Sequence, residues 1–287
     1  MLSVLLNISV VVFSVASMLS VGLGSTTRDL LRKLRSPHRV ARALIANFVL
    51  VPLLAYAIGL LLALEAPFRT GLMLLGMAAG APFVIKLTEV AGRDIGAAGT
   101  LLVLLLPVTV FYLPIMAPWI LPGVSIRISA IGIPLLLSML LPLIVGILAR
   151  AWLPRTSQRL QPIMGPIATV ALILLVILTF ILNLPDIVTL FGTGAILASG
   201  LLIAGAFAVG YLLGEDRAVM GLGTAQRNIA AATIIATQSI DNPGTLAMVV
   251  VASLIGMAIL FPIAWHLEKS ADARVWDLYD PKLTGGG

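Results

Sequence analysis

The sequence predicts an all-α, polytopic membrane protein of about nine transmembrane helices, and three observations carry that prediction. Apolar residues make up 60% of the chain and charged residues 10%, too little charge to cover a soluble fold of this length. The apolar residues fall into runs of about 20, the length needed to cross a hydrocarbon core about 30 Å thick. Lys and Arg gather in the short links between those runs, so the net charge of +6 reports orientation and not a nucleic-acid surface.

Taken in order, the runs are Met1 to Gly24, Arg39 to Leu64, Thr70 to Ala91, Ile95 to Leu121, Ile128 to Trp152, Pro162 to Leu184, Leu190 to Leu213, Ala218 to Gln238 and Thr245 to His266. The first is bounded by cations that follow it, starting at Arg28, which reads as a retained span and not a cleaved leader. Charge, Pro or Gly bounds each of the others, and Trp119, Trp152 and Trp265 stand near segment ends as interfacial anchors. The links are too short to hold a soluble domain. Residues 1–268 therefore form one transmembrane domain, followed by a tail over 269–287.

Fourteen of the eighteen cations fall on one side of an alternating topology, and only Arg69 and Arg127 on the other. By the positive-inside rule the N-terminus is outside, the C-terminus is cytoplasmic, and the chain sits in the cell membrane. The two cations left over, Lys86 and Arg227, lie inside apolar segments, where an ionisable residue is a candidate for function.

Two segments also carry helix-breaking residues. The third reads Gly76-Met77-Ala78-Ala79-Gly80-Ala81-Pro82, with breaks expected at Gly80 and Pro82. The eighth reads Gly221-Leu222-Gly223-Thr224-Ala225-Gln226-Arg227-Asn228, with breaks expected at Gly221 and Gly223. Both sites lie roughly 15 Å along their segments at 1.5 Å per residue, near the midplane. Paired interruptions in segments of opposite direction point to inverted repeats and to a carrier's central site.

The chain resembles the bile acid:sodium symporter family. The resemblance rests on Met18-Leu19-Ser20-Val21-Gly22-Leu23, on the Arg35-Ser36-Pro37 turn leading into Asn47-Phe48-Val49-Leu50-Val51-Pro52-Leu53-Leu54, and on Gly223 to Ala231, which falls where the family has a glutamate, glutamine and asparagine signature. It implies panel and core domains, with segments three and eight crossing at unwound centres. It also exposes departures. Val84 and Ile85 stand where a serine and an asparagine ligate sodium, Ala98 and Leu102 where hydroxyl ligands are expected, and Gly223 where a glutamate serves both sodium sites. Asn47 falls where a glutamine helps hold the second sodium, and Arg227 where another does. Sodium prefers oxygen ligands, by the logic that governs other hard cations, and most of those oxygens are missing. A tethered Lys86 or Arg227 could supply permanently the charge that sodium supplies in the relatives.

These residues carry the candidate site. Arg227 is the first choice to anchor an anionic substrate and Lys86 the second, with Thr224, Gln226, Asn228 and Asn47 as further substrate contacts. Each has a plainer reading. Lys86 can snorkel and pair with Glu89 at i+3; Arg227 can be held by backbone carbonyls or Glu89; Thr224, Gln226 and Asn228 can satisfy backbone groups freed by the break; Asn47 can bridge helices. Glu89, the one acid well inside a segment, is the candidate coupling group.

Other chemistries lack material. The absence of Cys removes disulfides and thiolate sites. His38 and His266 sit at segment ends, and Asp94, Asp186 and Asp241 belong to loops, so no catalytic set or metal site is expected, and no cofactor. The expectation is a secondary transporter of a small organic anion working by alternating access in the bilayer. It is not an enzyme, it has no nucleic-acid partner, and its coupling ion is a proton or sodium, with sodium the less favoured. A sodium-coupled symporter, a channel and a non-transporting sensor are the rivals. In a chain without native Cys, a Ser36→Cys variant should stay unlabelled when intact cells meet an impermeant thiol reagent; labelling from outside would invert the topology.

Overall fold

The computed structural model describes residues 2–24, 35–120, 133, 134, 136–182, 184–238, 240 and 242–278. Arg28, Arg32, Lys33, Arg127, Asp241, Lys282 and the last part of the expected tail lie outside the described residues, as does the side chain of Asp186.

Among the described residues every regular element is helical. The first is α1 (Leu2–Gly24). The second segment comprises α2 (Pro37–Ile45), a π-helical turn (Ala46–Leu50) and α3 (Val51–Leu61). The third is split into α4 (Ala66–Met77) and α5 (Val84–Val90), and α6 (Ile95–Ile120) follows. A second π turn (Leu136–Leu140) leads into α7 (Leu141–Trp152). Then come α8 (Pro154–Leu182), the short α9 (Leu184–Thr189) and α10 (Ala195–Leu213). The eighth segment is split into α11 (Arg217–Ala225) and α12 (Ile229–Gln238), and α13 (Pro243–Leu278) closes the chain. Among the described residues six helices are long and apolar enough to cross a membrane, and the stretch Leu136–Trp152 is a shorter apolar helix.

Several boundaries differ from the sequence expectation. α8 begins well before Pro162 and carries Pro162 and Pro166 inside it. α13 runs past His266 to Leu278, because no Gly or Pro interrupts the chain between Ile263 and that point.

The π turn in the second segment follows from Pro52. Val51 N–H bonds to Ala46 O, one residue further back than in an α-helix. Proline has no N–H to continue that ladder, so the carbonyls of Asn47 and Phe48 need other donors. Tyr112 Oη on α6 donates to Phe48 O at 2.9 Å, and Asn47 O turns toward the crossing described below.

The helices pack in two groups. α1 lies against α7 and α8, while α3, α4, α10, α11 and α13 pack on one another. Close approach in the first group depends on glycine: a Cβ on Gly22 would meet Gly146 Cα at 2.8 Å. Such small-residue contacts are how membrane helices gain packing energy without a hydrophobic drive between them. Gly22→Leu should therefore force α1 and α7 apart and cost about 1–3 kcal/mol, seen as a lower melting temperature in detergent, whereas Gly165→Leu, whose Cβ would meet nothing within 4 Å, should leave it unchanged.

Candidate functional site

The two split segments meet through their backbones. α4 stops at Met77, and Gly80 adopts φ +74 before α5 restarts at Val84; only Gly takes that left-handed conformation without strain. α11 stops at Ala225, and the chain is non-helical over Gln226, Arg227 and Asn228 before α12. The break thus falls after the glycine pair and not at it. Gly221 and Gly223 are helical, and both lack a side chain because neighbours occupy the space. A Cβ on Gly221 would meet the Phe207 ring at 2.9 Å, and one on Gly223 would overlap Leu101 Cδ2 and lie 3.4 Å from Val84 Cγ2.

A helix ends with carbonyls that have no partner within the helix and with a partial negative charge. Arg227 serves the ends of both α4 and α11. Its Nε donates to Leu75 O at 2.9 Å, and Nη2 donates to Gly76 O at 2.6 Å, both in the last turn of α4. Nη1 donates to Thr224 O in the last turn of α11 at 3.0 Å and to Asn47 Oδ1 at 3.0 Å. A longer contact of 3.5 Å joins Nη2 to Asn47 O, the carbonyl freed by Pro52. Arginine has five N–H donors in a planar fork, and here each has a protein oxygen. The side chain is 2% exposed.

The neighbouring polar residues complete the same network. Asn47 Nδ2 donates to Ala43 O at 3.0 Å and to Thr224 Oγ1 at 3.2 Å. Asn228 N–H donates to Ala78 O at 2.8 Å and Nδ2 to Gly80 O at 3.2 Å, which satisfies the unwound stretch of the other segment. Its Oδ1 accepts from Ala231 N at 3.1 Å and caps α12. Thr109 Oγ1 on α6 donates to Ala79 O at 2.9 Å.

Placed on this geometry, the sequence candidates divide. Arg227, Asn47, Thr224 and Asn228 come together, but their hydrogen bonds are spent on protein groups, so this arrangement leaves Arg227 no N–H with which to grip a substrate. Gln226 is 4% exposed and its side chain makes no hydrogen bond among the described residues; it borders a space of about 10 Å³ beside Leu75, Ile229 and Ser253, enough for about one water. Lys86 is apart from the crossing network and pairs with Glu89 at 2.8 Å, with side chains 34% and 52% exposed. An ion pair that open contributes little to stability. Val84, Ala98 and Leu102 are buried in the main apolar core, with Ile85 packed against it. Sequence reasoning missed Leu101, Thr109, Tyr112 and the carbonyls of Leu75 and Gly76. Only Tyr112 had a signal, the carbonyl that Pro52 must leave open.

Removing the guanidinium would strand several buried carbonyls, each costing roughly 1–3 kcal/mol. Arg227→Gln should therefore lower the melting temperature sharply. Arg227→Lys should fall between it and the parent, because lysine has three donors and no fork. Parent-like melting of the Gln variant would refute the cage.

The model of the family described as "Sodium Bile acid symporter family" matches residues 10–190. A probable sodium/metabolite cotransporter, BASS2, chloroplastic, of Oryza sativa subsp. japonica is 30% identical over 203 residues, covering 69% of this chain and 47% of the relative. The corresponding BASS1 of Arabidopsis thaliana is 25% identical over 273 residues, covering 91% of this chain and 67% of the relative. The chain thus spans about half the length of the rice relative. Its apolar helices make it an integral membrane protein, and by the extent of the match over residues 10–190 it belongs to the sodium bile acid symporter family.

Proposed function

We propose that this protein is a secondary transporter that carries a small organic anion by alternating access, without sodium coupling at the crossing. The six long helices, the shorter Leu136–Trp152 and the two split segments are taken as nine crossings in inverted halves. In this reading α1, α7 and α8 are the panel, the group around α4 and α11 is the core, residues 1–268 form one domain, and the basic loops face the cytoplasm of the cell membrane.

The observation that carries the proposal is the ring of oxygens around Arg227. In carriers built from split helices, C-terminal ends and unwound carbonyls are where a coupling cation binds. Here a guanidinium is bonded to them. The other oxygen site expected from the family is filled with hydrocarbon, since Leu101 and Val84 close the space beside Gly223. Support for an anionic substrate comes from the fixed charge of Arg227 and the N-terminal end of α12, both of which favour negative charge nearby. Gln226, the polar side chain at the crossing without a hydrogen-bond partner among the described residues, is the residue assigned to meet the substrate, and Lys86 is a second contact. Glu89 is the group assigned to take a coupling proton; exchange against a second anion is the alternative. The relatives' descriptions as sodium/metabolite cotransporters favour one other reading, in which sodium binds elsewhere in the chain.

Uptake into proteoliposomes decides between them. Replacing sodium by choline at constant ionic strength should leave the rate unchanged for any organic anion that raises the protein's melting temperature. A steep, saturable sodium dependence would overturn the proposal. Gly223→Glu should not create sodium dependence, because the carbonyls of the crossing stay bonded to the Arg227 guanidinium.

A further inference from the structure

A second cavity lies outside the crossing. It is an open crevice with a volume of about 950 Å³, lined by α2, the start of α6 and the two residues before it, the end of α10, the start of α11 and Leu267 of α13. That size is at the upper end for small-molecule sites. Four arginines stand around it, Arg39, Arg42, Arg93 and Arg217, against three acids, Asp94, Glu215 and Asp216.

The acids are already engaged. Glu215 pairs with Arg39. Asp216 caps α11 by accepting from Val219 N at 3.3 Å, and Asp94 Oδ1 accepts from Gly96 N at 2.8 Å. Among the described residues, Arg42, Arg93 and Arg217 have no carboxylate partner. Arg217 lies over the Tyr211 ring, 5.9 Å from its centre. Arg93 gives Nη2 to Leu267 O at 3.0 Å, while its Nε is buried without a hydrogen bond. Beneath the charged rim the floor is apolar. Ala43, Leu101 and Met220 belong to a small buried cluster with Leu104 packed against it. Leu101, which closes the space beside Gly223, also separates this cavity from the crossing.

We infer that this crevice is a binding site for an amphipathic anion, with its carboxylate or phosphate among Arg42, Arg93 and Arg217 and its apolar body on Leu101, Leu104 and Met220. Unpaired guanidinium groups beside an apolar floor match that chemistry, since Arg binds carboxylate and phosphate through paired hydrogen bonds. The site is separate from the crossing and does not rest on the transport reading. A soluble organic anion and an anionic lipid headgroup with its chain share this chemistry.

The test uses single-cysteine reporters, Leu104→Cys and, as a second, Ala97→Cys, in the full chain in phosphatidylcholine nanodiscs. A sulfonate-bearing methanethiosulfonate should modify either thiol about tenfold faster than a trimethylammonium-bearing one, after normalisation to a free thiol, because guanidinium groups without a carboxylate partner raise the local concentration of anions. The preference should collapse in an Arg42→Gln/Arg217→Gln background. Millimolar 2-naphthoate should slow the modification if the ligand is soluble, and replacing phosphatidylcholine by phosphatidylglycerol should slow it if the ligand is a lipid. Loss of charge preference in both reporters, its persistence in the double variant, or protection by neither probe would overturn the inference.

Discussion

Two helix C-termini brought together away from water are the constraint on which this structure depends. Each end presents carbonyls without partners and a partial negative charge, so bringing them together is unfavourable until a cation and enough donors stand between them. A guanidinium meets both needs, because its flat fork reaches Leu75 and Gly76 on one end and Thr224 on the other. The remaining local features serve that contact. Pro52 leaves Asn47 O without its helical donor, the π turn brings Asn47 to the same guanidinium, and Asn228 repays the unwound stretch of the opposite segment.

The departures from the family pattern form one compensating set. A guanidinium occupies the ring of carbonyls, while hydrocarbon from Leu101 and Val84 takes the space next to Gly223. Restoring one oxygen ligand would place it against a packed wall, and the wall itself rests on a core in which Val84, Ala98 and Leu102 are almost fully buried. Well-packed interiors resist added volume, so such a site changes by coordinated substitution and not one residue at a time.

Much of this was legible in the sequence. Apolar run length locates the helices, and the misplacement of Gly and Pro singles out the two split segments. The i,i+3 spacing of Lys86 and Glu89 is enough to bring them together. The position of the second break was not legible, because glycine signals helix breaking and close packing equally; only the neighbouring Phe207 and Leu101, distant in sequence, decide for packing. Backbone carbonyls were one of the partners expected for Arg227, but which carbonyls could not be read, since four of its five acceptors are main-chain oxygens whose direction has no residue code. The arginine-rimmed crevice takes its walls from elements far apart in the chain, so no local pattern announces it.

A cation joined to the chain by covalent bonds cannot travel with its cargo. In the proposed cycle, therefore, an anion that crosses without a proton or an exchanged anion carries its whole charge through the field of the membrane. That movement is worth about 2.3 kcal/mol per elementary charge at 100 mV, directed away from the negative side. A proton taken up at Glu89, or a second anion moved the other way, would cancel that charge, so coupling does for the moving anion what the caged Arg227 cannot.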